Sequence, residues 1–71
     1  MDFSPESLLE MAKNVVDNND FVNAIVLLKR GIESIKDRKG EDAKLNLIML
    51  HMELIQVLEK VRKVYFFAND S

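Results

Sequence analysis

"KLNLIMLHMELIQVLEK", Lys44 to Lys60, decides the fold, because ten of the fourteen residues from Leu45 to Leu58 are apolar. On a helical wheel at about 100° per residue, Leu47, Leu50, Leu54, Val57, Leu58, Val61, Val64 and Tyr65 fall on one side. Their alternating spacing of three and four is that of a helix-bundle seam. Leu45, Ile48, Met49, Met52 and Ile55 fall almost diametrically opposite. Two polar strips separate the stripes, Asn46, Glu53 and Lys60 on one flank and Lys44, His51 and Arg62 on the other. The segment is amphipathic twice over, and the question for fold and function alike is what covers the second face.

Working outward, the punctuation predicts three helices, at about 5–17, 20–38 and 41–67. Ser4 followed by Pro5 reads as an N-cap with proline at the first helical position, where its missing N–H costs nothing. Phe3 and Leu8 then have the spacing of a hydrophobic staple. Leu8, Leu9, Met11, Ala12, Val15 and Val16 supply the apolar face of this first helix, and Glu6, Glu10, Lys13 and Asn14 the wet one. "DNND", Asp17 to Asp20, is a run of side chains that compete for backbone hydrogen bonds and so ends one helix and starts the next. On the second helix Phe21, Ala24, Ile25, Leu28, Ile32 and Ile35 form a stripe that includes Gly31. A glycine there costs about 1 kcal/mol relative to alanine. Either another helix approaches closely at that point or the site merely tolerates it. In "KDRKGED", Lys36, Arg38 and Lys39 suit a helix C-terminus, Gly40 the left-handed position after it, and Glu41 with Asp42 the next N-terminus. Short connections imply antiparallel neighbours, hence an all-α, antiparallel three-helix bundle with a long third helix.

A chain of 71 residues is one domain, of a size that buries only roughly 60% of its unfolded surface. Without cysteine, neither disulfides nor thiolate metal sites can reinforce it, which leaves efficient helix packing or oligomerisation. The net charge of −2 is of mixed sign and argues against a general nucleic-acid binder, which needs a concentrated basic surface. The apolar run is broken by Asn46, His51, Glu53 and Gln56 and falls short of the ~20 residues a membrane span requires. "MDFSPES" lacks the basic-then-apolar order of a signal peptide. A cytoplasmic protein is expected, and the initiating methionine with the capped first helix argues against a fragment.

Helices one and two can both pack on the longer stripe of helix three, which leaves Leu45, Ile48, Met49, Met52 and Ile55 to a partner or to self-association. Five such side chains present on the order of several hundred Å², the size at which a patch on a monomer signals interaction, and methionine adapts to irregular partner surfaces. Alternatively the bundle twists so that helices one and two take one face each and bury helix three all round. Helix three is also ~40 Å long against ~28 Å for helix two at 1.5 Å per residue, so "VYFF", Val64 to Phe67, overhangs. Tyr65 and Phe66 then either meet a second subunit or fold back with their neighbours onto Phe21 and Val16.

"NDFVNAIVLLKRGIESI", Asn19 to Ile35, resembles the helix-turn-helix of tetratricopeptide repeats and of microtubule interacting and trafficking (MIT) domains. Asp20, Phe21, Ala24 and Gly31 take the places of the family's small turn residue, aromatic, alanine and second small residue. Ala12 matches the small residue of the first helix. The resemblance implies a three-helix bundle that binds short helical or extended peptides in grooves beside helix three, with Leu45, Ile48, Met52 and Ile55 as groove residues. The chain departs from the pattern at Leu28, where an aromatic is frequent, and in a more apolar helix three. That departure favours a permanent interface, such as a homodimer, over a transient groove.

Catalysis finds little to work with. His51 is the only histidine, and its neighbours at three and four, Leu47, Ile48, Leu54 and Ile55, offer neither a metal pair nor an acid–base partner. It reads as a boundary histidine, with association made pH-sensitive if it lies at an interface. Asp17, Asp20, Glu41 and Asp42 occupy helix ends where capping suffices, and two glycines make no phosphate loop. The expectation is therefore a protein without cofactor or metal. It is read as a non-enzymatic adaptor that homodimerises or binds a partner helix. The alternative is a small nucleic-acid-associated accessory protein whose dimerisation brings together Lys36, Arg38, Lys39, Lys60, Arg62 and Lys63.

Overall fold

The computed structural model describes residues 4–69 and forms an antiparallel three-helix bundle, α1 (Pro5–Asp17), α2 (Phe21–Ile35) and α3 (Glu41–Asn69). The local signals act where the sequence places them. Ser4 adopts an extended backbone and its Oγ accepts the N–H of Ser7 at 3.1 Å, with Pro5 opening α1. The Phe3 half of the expected staple lies outside the described residues. At the first corner Asn18 closes α1 by donating its N–H to the Val15 carbonyl at 3.1 Å, and Asn19, which donates to the Val16 carbonyl at 2.8 Å, takes a left-handed φ of 62°. Asp20 then caps α2, accepting the Asn23 N–H at 3.3 Å and the Asn23 amide at 2.6 Å. Asparagine suits φ > 0 better than most residues, which is why so short a corner needs no glycine.

At the second corner the chain leaves the helix earlier than the basic residues suggest. α2 ends at Ile35, not at Arg38. The N–H of Arg38 donates back to the Ile35 carbonyl at 3.0 Å, a three-residue step that tightens the chain out of the α-helical path. Arg38 and Lys39 therefore follow the helix rather than decorate its last turn. Gly40 supplies the reversal with φ 115°, a conformation open chiefly to glycine, and Glu41 and Asp42 stand in the first turn of α3 beside its positive dipole end.

The core is one aliphatic cluster drawn from all three helices, Leu9, Ala12 and Val16, then Ala24, Leu28 and Ile35, then Leu50 and Val57. Leu8 is also buried, whereas Met11 lies at the surface. Ala12 and Ala24 are each 0% exposed, and their lack of a long side chain lets the helix axes approach. Gly31 does the same for α2 and α3. A Cβ on Gly31 would stand 3.0 Å from both Cδ1 and Cδ2 of Leu50, so turning the Leu50 side chain exchanges one contact for the other. Close approach is the reason for this glycine. We expect Gly31→Ala to lose about 1 kcal/mol net, the overpacking cost of about 1–3 kcal/mol exceeding the gain in helix propensity. A urea midpoint that rises instead of falling would show that Leu50 has room to move.

The same contact sets the register. Stepping ten residues from Gly31 back along α2, and from Leu50 forward along its antiparallel neighbour, brings Phe21 level with Lys60. α1 runs parallel to α3, tied by the Asn46 amide donating to Glu6 Oε1 at 2.9 Å. The backbone N–H of Glu6 itself, then this amide, hold the Glu6 carboxyl below its usual range. By these offsets α1 ends level with Val57 and α2 begins level with Lys60, and the last eight residues of α3 continue alone for about 12 Å. The molecule is 48 Å along its longest axis because of that overhang.

Candidate interaction surface on α3

The rotation of α3 is fixed by its core side. Leu50 and Val57 are 1% and 0% exposed, with Leu47, Leu54 and Val61 packed at the margin of the cluster. With that side turned inward, the opposite stripe has to face away from α1 and α2. Leu45, Ile48, Met52 and Ile55 are 57%, 55%, 55% and 62% exposed, and Met49, nearer the flank, 41%. α3 is therefore not buried all round. α1 and α2, which pack on each other, share one sector of α3, and only α1 borders the opposite stripe, at its Met49 and Met52 edge.

Met49 and Met52 also border a shallow cleft of about 140 Å³ between α1 and α3, whose other walls are Leu9, Lys13, Glu53 and Gln56. α1 and α3 meet more loosely than α2 and α3, so a groove remains where the two diverge. Nothing in α1 alone marks Leu9 or Lys13 as groove residues, since the cleft exists only through the relative tilt of two helices. His51 lies exposed on the far flank of the stripe. Among the described residues no buried side-chain nitrogen or oxygen lacks a hydrogen-bond partner, and no three of His, Cys, Asp and Glu are grouped to hold a metal.

Toward the carboxyl end the stripe turns polar at Glu59 and Arg62, which pair with each other at 3.2 Å. Beyond them Val64, Tyr65, Phe66 and Phe67 are 58%, 70%, 61% and 73% exposed. They do not fold back onto Phe21 or Val16, because α2 and α1 stop below them. The two remaining site candidates separate here. Phe66 stands five full turns after Ile48 and so continues the second face, whereas Tyr65 continues the core stripe past its cover, above Leu58 and Val61. The Phe66 and Phe67 rings meet edge to face with centroids 6.3 Å apart. Leu58, at 48% exposure, belongs to this uncovered end too, although its spacing alone assigns it to the seam.

Two of the basic residues carry carboxylate partners. Lys36 donates to Glu33 at 2.8 Å, and that hydrogen bond, reinforced by the carboxylate's charge, raises the lysine above its ordinary value. Arg62 is engaged by Glu59. No helix among the described residues is long and apolar enough to cross a membrane. No family model matches this chain, and no curated protein and no solved structure matches it either.

Proposed function

We propose that this chain is a non-enzymatic interaction module that buries the second face of α3 against another helix, most directly that of a second copy. One observation carries the reading. Four large aliphatic or thioether side chains, Leu45, Ile48, Met52 and Ile55, stand more than half exposed on one line of a helix whose opposite side is locked in the core. A contiguous stripe of this kind costs solvation free energy in a free monomer and is recovered on association. The resemblance of α1 and α2 to the MIT and tetratricopeptide hairpin supports the same conclusion, since those domains bind helical or extended peptides beside their third helix. A cysteine-free chain of this kind fits an adaptor in the cytoplasm. No observation favours the nucleic-acid reading, because two of the six basic groups it needs are already occupied by carboxylates.

The test is solution mass by light scattering across a dilution series. We expect a species of twice the 8.2 kDa chain mass that dissociates on dilution. A monomer at every concentration reached would remove self-association and leave the cleft between α1 and α3 as the surface to probe with helical peptides.

A further inference from the structure

The exposed stripe has an internal symmetry that specifies how two copies meet. Leu45, Ile48, Met52 and Ile55 are spaced three, four and three residues apart. Written as a heptad they are successive a, d, a and d positions. They are also symmetric about residue 50, Leu45 and Ile55 lying five residues from it and Ile48 and Met52 two. Resting on the reading of this face as an interface, we infer that two copies pair through α3 in antiparallel fashion, with the twofold axis passing level with Leu50. Each Ile48 then packs on Met52 of the other copy, each Leu45 on Ile55, and Met49 lies beside its own counterpart. The surface is self-complementary, as an isologous contact requires.

The position of Glu59 and Arg62 selects this register over the other two that the stripe permits. A parallel pair in register would stack Glu59 on Glu59 and Arg62 on Arg62 inside the seam. An antiparallel pair centred near Val57 would bring Phe66 onto Ile48 but set Glu59 and Arg62 against Ile55 and Met52 in the middle of the contact. Desolvating those groups between apolar layers is costly. With the axis at residue 50, Glu59 falls at the solvent-exposed edge, level with the partner's Glu41, and its own ion pair with Arg62 at 3.2 Å offsets that approach without desolvation. The flanks then bring Lys44 beside Leu58, Asp42 beside Gln56 and His51 beside His51. The stripe lies opposite Leu50 and Val57 on α3, and α1 reaches only its Met49 and Met52 edge, where Leu9 and Lys13 wall the shallow cleft. The five side chains with their flanks bury on the order of 1,000 Å² for the pair, the lower bound of a specific interface.

The chain has no cysteine, so introduced thiols report without background. Ile48→Cys and Met52→Cys chains are mixed in a glutathione redox buffer, where exchange selects the best-placed pair. The mixed disulfide is expected to exceed either homodisulfide by roughly tenfold, since only that pair meets the distance a disulfide requires. Preferred Ile48→Cys homodisulfides would overturn the inference in favour of parallel pairing. A preferred Ile48→Cys with Phe66→Cys disulfide would overturn it in favour of the axis near Val57. Either result leaves the interface reading standing, whereas a monomeric mass for the unmodified chain overturns the self-pairing itself.

Discussion

Replacing Ile48 with aspartate is expected to abolish self-association while the far-ultraviolet circular dichroism of the chain stays unchanged. Ile48 is 55% exposed and lies on the side of α3 turned away from the core, so the monomer keeps its packing. In the paired state the carboxylate would sit against Met52 of the other copy with no cationic partner in the layer. Burying an unpaired charge costs several kcal/mol in practice. A twofold contact repeats the lesion, and a loss of about 3–4 kcal/mol already weakens association several-hundredfold. Sedimentation equilibrium read alongside circular dichroism separates the outcomes. A chain that loses its helicity with this change would make Ile48 part of the core and sink the interface reading. Met52→Asp, on the neighbouring turn, should behave in the same way.

The second large effect lies in the core. Leu28→Ala is expected to destabilise the chain by about 2–5 kcal/mol, the range for removing a buried leucine side chain and leaving a cavity behind. Leu28 is 0% exposed at the middle of α2, where α1 packs on one side and α3 on the other, so the helices cannot collapse into the space without losing contacts elsewhere. At about 0.05–0.15 kcal/mol per residue, a chain of this length has only about 4–10 kcal/mol to lose. The melting temperature should fall by at least ~10 °C, measured at a concentration where the chain is monomeric. Val22→Ala, at a side chain 74% exposed, is the control and should stay within about 0.5 kcal/mol. Equal effects of the two substitutions would show that the core is not organised around Leu28.

Much of this is legible in the amino-acid order, for a reason particular residues make plain. Ser4 with Pro5, the run from Asp17 to Asp20, and Gly40 act on their own backbone or on that of residues three or four away, so their effect is written in local sequence. The two stripes of α3 are equally local, because the period of the helix alone assigns each residue an angle. That placed Leu45, Ile48, Met49, Met52 and Ile55 together as a candidate surface. Arg38 and Lys39 misled because dipole preference is worth only a few tenths to about 1 kcal/mol, too little to hold a helix that the turn toward Gly40 draws out of register.

Amino-acid order by itself determined the number of helices, their starts, the all-α class and the existence of a second apolar face, since each follows from spacing and capping along a single chain. Only the tertiary structure decided that this face stays uncovered, that Tyr65 and Phe66 stand exposed on an overhang, and that a cleft opens between Leu9 and Met52. These depend on where one helix stops against another. That is fixed by a contact as specific as Gly31 against Leu50, in which two residues nineteen positions apart set the register of everything beyond them.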